Sequence, residues 1–92
     1  MTRLFTFVLE YAGGTYIAQA KGEDISSAAR TWLKMLTDSE LSDWRLSRSE
    51  LQELLDEDRF VRLEKVENVW CTSRSGEHGL VLINVIETIS SV

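Results

Sequence analysis

Residues 3–21 contain the pattern that most constrains the fold of this chain, because two strand-like segments flank Gly13-Gly14. The segments RLFTFVLEY and TYIAQAK are rich in β-branched and aromatic residues, and a glycine pair readily takes the positive φ angles of a two-residue hairpin turn. We therefore predict a β-hairpin with Gly13 and Gly14 in the turn and Ala12 paired with Thr15. This pairing places one set of side chains on the core face: Phe5, Phe7, Leu9, Tyr11, Tyr16, Ala18 and Ala20.

The opposite face of this hairpin has a mixed composition. It carries aliphatic residues beside polar and charged ones: Leu4, Thr6, Val8, Glu10, Ile17, Gln19 and Lys21. Such a face is typical of either a solvated sheet surface or one half of an interface. The sequence leaves both alternatives open.

The segment after the hairpin predicts a helix over residues 25–37, with Asp24 as its N-cap. Its apolar residues recur with the spacing of a helix that buries one side: Ile25, Ala28, Ala29, Trp32, Leu33 and Leu36. The small side chains of Ala28 and Ala29 allow this helix to approach the sheet closely. We therefore expect it to cover the core face of the hairpin.

A second helix is predicted to begin at Ser47. Ser47 and Glu50 have the spacing of a capping box, and Leu46 with Leu51 has the spacing of a hydrophobic staple. The residues before it, DSELSDWRL, fit either a helical turn or an irregular loop anchored by Trp44. The end of this helix is unusual, because the acidic residues 56–58 would lie at the negative end of the helix dipole.

The last third of the chain predicts a second hairpin, with strands over about 60–73 and 79–90. The segment GLVLINVIETI is almost entirely aliphatic, which is typical of a strand that is covered on both faces and is central in its sheet. The segment VRLEKVENVWCTS is rich in charge, which suits an edge strand.

These elements predict an α+β fold with a four-stranded, mostly antiparallel sheet. The expected element order is ββααββ, the expected strand order in the sheet is 2-1-4-3, and the helices lie on one face. Residues 1–92 are expected to form a single domain, because a chain this short buries only about 60–65% of its unfolded surface even in one core.

The negative charge of the chain is concentrated in residues 38–58. This segment has eight acidic and two basic residues, which gives it a formal net charge of −6, whereas the formal net charge of the whole chain is −5. The acidic balance argues against binding to the phosphate backbone of nucleic acids, which relies on Lys and Arg. No apolar run approaches the roughly 20 residues of a membrane span, and the first residues do not resemble a signal peptide, so we expect no membrane association.

Within this acidic segment, four residues are the candidates for contact with a partner. Glu50, Glu53 and Glu57 are expected to form a line along the outer side of the second helix. Trp44 is expected either to anchor a partner as an exposed side chain or to cover the core. We predict that these residues bind a protein, which would be basic if charge selects it.

Cys71 and His78 are the only thiol and the only imidazole of the chain. They could approach one another across the second hairpin and act as a nucleophile and its base, or they could be a buried strand cysteine and an exposed loop histidine. A single cysteine excludes an intramolecular disulfide, and two soft ligands do not make a zinc site. We therefore expect no metal and no cofactor, and a reducing compartment, the cytoplasm.

Three groups of residues near the N-terminus resemble the start of HicB-type antitoxins. They are Gly13-Gly14-Thr15-Tyr16, then Gly22-Glu23-Asp24-Ile25, then Ala28-Ala29, within the run YAGGTYIAQAKGEDISSAARTWLKML. The resemblance covers less than a third of the chain, which does not contain the family's Pro-Gly segment or a C-terminal DNA-binding part. It implies a protein that binds and masks a basic toxin ribonuclease, and it assigns no role to individual residues.

The function predicted from the sequence is that of a small non-catalytic protein that acts by binding another protein, with a homodimer as one form it could take. The first alternative is an antitoxin or immunity-type inhibitor that neutralises a basic enzyme through the acidic segment 38–58. The second alternative is a small hydrolase or transferase that uses Cys71 and His78.

Overall fold

The computed structural model describes residues 2–56 and 59–88, which form an antiparallel sheet of five strands with three helices on one face. The first elements are β1 (Arg3–Tyr11), β2 (Gly14–Gly22) and α1 (Ile25–Met35). They are followed by α2 (Asp38–Trp44) and α3 (Arg48–Leu54). The last elements are β3 (Val61–Arg62), β4 (Val69–Gly76) and β5 (Gly79–Thr88), and the strand order in the sheet is β2-β1-β5-β4-β3.

The predicted four-stranded sheet and the ββααββ order are wrong, because the described residues form elements in the order ββαααβββ. The segment 60–73 is not one strand. Lys65 and Asn68 have left-handed backbone angles, with φ of 63° and 61°, and the chain between β3 and β4 turns back on itself there. The two-residue strand β3 therefore pairs with β4, Val61 opposite Cys71, and forms the edge of the sheet.

The first hairpin has the predicted faces but a different turn. Ala12 and Gly13 form the turn, with φ of 50° and 82°, and Tyr11 pairs with Gly14. The predicted turn at Gly13 and Gly14 is wrong, and the register differs by two residues, since Leu9 lies opposite Tyr16. A shift of two leaves every side chain on its predicted face, because the side chains of a strand alternate with a period of two.

The strand β5 lies between β1 and β4, as its aliphatic sequence predicts. Its odd-numbered aliphatic residues Val81, Ile83 and Val85 are fully buried under the helices. They join Phe5, Phe7, Leu9 and Tyr11 of β1 in the core. The helices close this core from the other side with Ala28, Ala29, Trp32, Leu36, Leu41, Trp44, Leu46, Leu51, Leu54 and Leu55.

The helix α1 begins where the sequence predicts, with Asp24 as N-cap. The Asp24 carboxylate accepts a hydrogen bond from the Ser27 amide at 2.8 Å, and the Ser27 hydroxyl group accepts one from the Asp24 amide at 3.2 Å. The chain enters this helix in close contact with the sheet. A Cβ atom on Gly22 would lie 2.4 Å from the Ala28 amide nitrogen, so this position requires glycine.

The helix α2 occupies the segment whose conformation the sequence left open. Thr37 is its N-cap and Glu40 completes a capping box, which is the pattern that Ser47 and Glu50 repeat at the start of α3. The helix ends at Arg45, which has a left-handed φ of 60°, and the Leu46 amide donates to the Leu41 carbonyl group at 3.1 Å. The three helices are thus separated by short, well-capped connections.

Candidate protein-binding surfaces

The candidate Trp44 is part of an aromatic cluster in the core. Its side chain is 9% exposed and stacks on Tyr16, with ring centroids 4.7 Å apart, and Trp32 lies 6.5 Å away on its other side. Trp32 in turn stacks on Phe7 at 4.7 Å. Of the two alternatives for Trp44, the structure has the one in which the indole ring covers the core, and the residue does not project as an exposed anchor.

Glu50 has a structural role at the start of α3. Its carboxylate accepts a hydrogen bond from the Ser47 amide at 3.2 Å, while the Ser47 hydroxyl group accepts one from the Glu50 amide at 3.1 Å. The hydrogen bonds with the side chain and backbone of Ser47 hold the pKa of Glu50 below its ordinary value. This carboxylate is therefore engaged in capping the helix.

The other two glutamates of the predicted acidic line differ from one another. Glu53 is exposed and forms an ion pair with Arg74 of β4. Glu57 lies outside the described residues, as does Asp58. The helix α3 ends at Leu54, before residues 56–58, so the predicted charge strain at its end stays a prediction. It also stays a prediction that a partner contacts Trp44, Glu50, Glu53 and Glu57.

Several charged groups of the acidic segment hold the helices in place. Arg48 donates to the Leu33 and Leu36 carbonyl groups at the end of α1, at 2.7 and 2.9 Å, and also contacts the Asp38 carboxylate at 3.2 Å. The Glu40 carboxylate accepts from the Thr37 amide at 3.1 Å. Asp43, on the exposed side of α2, is outside both capping boxes.

The structure does not bring Cys71 and His78 together. Cys71 lies in β4 five residues before Gly76, which corresponds to about 17 Å along an extended strand, whereas His78 lies in the turn after Gly76. Burial raises the pKa of the Cys71 thiol, which disfavours the thiolate. The backbone amide of His78 donates to the Tyr11 hydroxyl group at 2.9 Å. The nucleophile and base predicted as an alternative do not form a pair.

The described part of the chain holds no group of three or more His, Cys, Asp or Glu side chains arranged to bind a metal ion. Likewise, none of the helices described is long and apolar enough to cross a membrane.

The face of the sheet opposite the helices is a further candidate surface, since no described helix packs on it. We call it the open face. It consists of the even-numbered residues of β1 and β5 together with the odd-numbered residues of the other strands: Leu4, Thr6, Val8, Glu10, Thr15, Ile17, Gln19, Lys21, Val61, Val69, Cys71, Ser73, Ser75, Leu80, Leu82, Asn84, Ile86 and Thr88.

Large apolar side chains are exposed on the open face. Ile17, Val61 and Leu80 are 68%, 63% and 60% exposed, and Leu82 and Ile86 of β5 are only half-buried. The sequence of β5 predicted a strand covered on both faces, and the described residues cover only one. The mixed composition of the first hairpin predicts its part of this surface, whereas the aliphatic sequence of β5 predicts coverage on both faces and so gives no sign of the exposed part on β4 and β5.

Polar groups on the open face bond to one another across three strands. The Thr6 and Thr88 hydroxyl groups lie 2.5 Å apart, and the Gln19 amide group donates to the Thr6 hydroxyl group at 3.0 Å. Thr6, Thr88 and Gln19 at this end of the face therefore have partners within the same molecule.

Comparison with models of known protein families, with curated proteins and with solved structures finds no match to this chain.

Proposed function

We propose that this chain is a non-catalytic protein that acts by protein–protein binding, and that the open face is its binding surface. The observation that carries the proposal is the composition of β5. An antiparallel strand with one solvated face usually alternates between apolar and polar residues. In β5 the residues on the open face include Leu80, Leu82 and Ile86, so the strand has the sequence of a two-sided core element.

The neighbouring strands extend this apolar surface. Val8 lies beside Ile17 on one side and Asn84 on the other, and Cys71 continues the same row toward the edge strand. Contiguous apolar patches on a protein surface mark interaction sites more often than scattered single residues do. A partner that covers the whole open face would bury Val8 and Ile17 of this row together with the exposed aliphatic side chains of β5, and it would also cover the polar Asn84.

Substitution of Ile17 tests this proposal, with Met35 as a matched control. Both side chains are large, apolar and exposed, Ile17 by 68% on the open face and Met35 by 60% on the helical side. A tagged chain is recovered from its native host, and the captured chains, including untagged copies of itself, are quantified by mass spectrometry. We expect Ile17→Asp to abolish the capture and Met35→Asp to leave it unchanged. If Ile17→Asp captures the same chains in the same amounts as Met35→Asp does, the proposal is refuted.

A second candidate function is inhibition of a basic enzyme, as in antitoxins and immunity-type proteins. It is supported by the position of Asp38, Glu40 and Asp43, which are exposed on α2, in the layer opposite the open face. Such a charge cluster accelerates encounter with a basic partner. Both functions are consistent with a cytoplasmic protein, where the single Cys71 would remain a free thiol.

Reversal of the Asp43 charge separates this second candidate from the first. Asp43 lies near the C-terminal end of α2, where a positive charge is favourable, so Asp43→Lys should not lower stability. An acid-dependent inhibitor should lose affinity for its basic enzyme in this variant and show a weaker salt dependence. If the same partner binds with unchanged affinity and salt dependence, the acidic segment is not the binding surface.

A further inference from the structure

We infer that the partner of the open face is a second copy of this chain, packed sheet against sheet with two-fold symmetry so that Glu10 of each copy lies beside Lys21 of the other. The inference rests on the proposed function, since it names the occupant of the same surface. Charge, symmetry and area each point to this arrangement.

The charges on the open face are few and opposite. On the four long strands the described residues of this face include two formally charged side chains, Glu10 of β1 and Lys21 of β2. Glu10 pairs with Thr15 near the hairpin turn, whereas Lys21 pairs with Leu4 at the other end of the same two strands. Glu10 lies six positions after Leu4, which is about 20 Å along a strand.

A two-fold axis that runs across the strands, between Thr6 and Val8, exchanges these two ends. It places Glu10 of one copy over Leu4 of the other, and Lys21 lies beside that Leu4 at one strand spacing of about 4.8 Å. Packed sheets lie about 10 Å apart, a gap that the long Glu and Lys side chains can bridge. Because the interface is isologous, the same contact forms twice. An axis parallel to the strands would instead place β1 over β5 and leave both charges facing apolar or uncharged residues, which electrostatic complementarity disfavours.

Some of the polar groups under such an interface already have partners. The Thr6 and Thr88 hydroxyl groups bond to one another, and Thr6 also accepts a hydrogen bond from the Gln19 amide group, so a second copy can cover these two hydroxyl groups without leaving them unpaired. The costs of burial on this part of the face are therefore small compared with those of an isolated hydroxyl or amide group.

The size of the open face matches a weak to moderate dimer. Four strands about 4.8 Å apart and about 30 Å long offer on the order of 600 Å² per copy, or roughly 1,200 Å² in total. Stable specific interfaces bury about 1,200–2,000 Å². We therefore expect a reversible dimer that dissociates on dilution.

Charge exchange between Glu10 and Lys21 tests the arrangement directly by sedimentation velocity. Both residues are exposed, so the variants are expected to fold, and thermal melts of each variant check this. Glu10→Lys and Lys21→Glu each place like charges together at both contacts, so each variant alone should dimerise at least tenfold more weakly. An equimolar mixture of the two should form a heterodimer with near wild-type affinity, and the double variant should dimerise like the wild type.

The possible failures of this experiment are distinguishable. A wild-type chain that stays monomeric at every concentration overturns the inference, but the proposed function stands if Ile17→Asp still abolishes capture of another protein. A dimer that neither single variant weakens overturns the charge-paired arrangement. If Ile17→Asp changes neither dimerisation nor capture, both the inference and the proposed function are refuted.

Discussion

Individual residues of the core show which parts of a side chain contribute to stability. Trp32 is 1% exposed, stacks on Phe7 and borders Trp44, so its rings fill the space between α1 and the sheet. Its indole Nε1 has no hydrogen-bond acceptor among the residues described, which costs stability relative to a carbon atom at the same place. The value of this residue therefore lies in its volume and stacking.

Two substitutions of Trp32 separate these contributions. Trp32→Ala should lower the free energy of unfolding by about 3–5 kcal/mol through the cavity it leaves. Trp32→Phe should cost clearly less, because it keeps a ring against Phe7 and removes the unpaired donor. Urea titrations of both variants measure these differences. A loss of less than about 1 kcal/mol for Trp32→Ala, or an equal loss for both variants, would contradict this account of the core.

The helices show how local sequence signals define elements. The capping boxes of α2 and α3 have the same Ser/Thr-x-x-Glu spacing, yet sequence analysis recognised only the one at Ser47. The same spacing of Thr37 and Glu40 indicates the start of α2. The break between β3 and β4 had no comparable signal, because Lys65 and Asn68 adopt left-handed angles in a segment without glycine. The β propensity and the charged residues of segment 60–73 therefore predicted one continuous edge strand.

The cap of α1 predicts a pH-dependent contribution to stability. Hydrogen bonds from the backbone and side chain of Ser27 hold the pKa of Asp24 below its ordinary value. A carboxyl group of this kind stabilises the fold above its unfolded pKa, and the contribution is lost as the pH falls through the lowered folded pKa. Asn is an equally good N-cap without the charge.

We therefore expect Asp24→Asn to be less stable than the wild type at about pH 7, and we expect this difference to shrink as the pH falls through the lowered folded pKa of Asp24. Thermal melts of the two proteins across this fall in pH measure the difference. A difference that stays constant down to the lowest pH would show that the charge of Asp24 does not contribute through this cap.

The molecule as a whole shows what sequence patterns cannot decide. Side-chain alternation assigned the core face of the first hairpin correctly despite a register error, because the error was an even number of residues. The almost entirely aliphatic sequence of β5 identified it as a central strand. It could not tell whether residues of the same chain or of another chain cover the second face of β5, because burial against either requires the same aliphatic side chains.

The most direct test of the central claim is the methyl NMR spectrum of the wild-type protein over a dilution series. The strand β5 contains its own control, since Leu82 and Ile86 lie on the open face while Ile83 and Val85 lie under the helices. We predict that the methyl resonances of Leu82, Ile86 and Ile17 shift with concentration and that those of Ile83 and Val85 do not. Resonances of both faces that stay unchanged at all concentrations would contradict the claim that the open face binds a second copy.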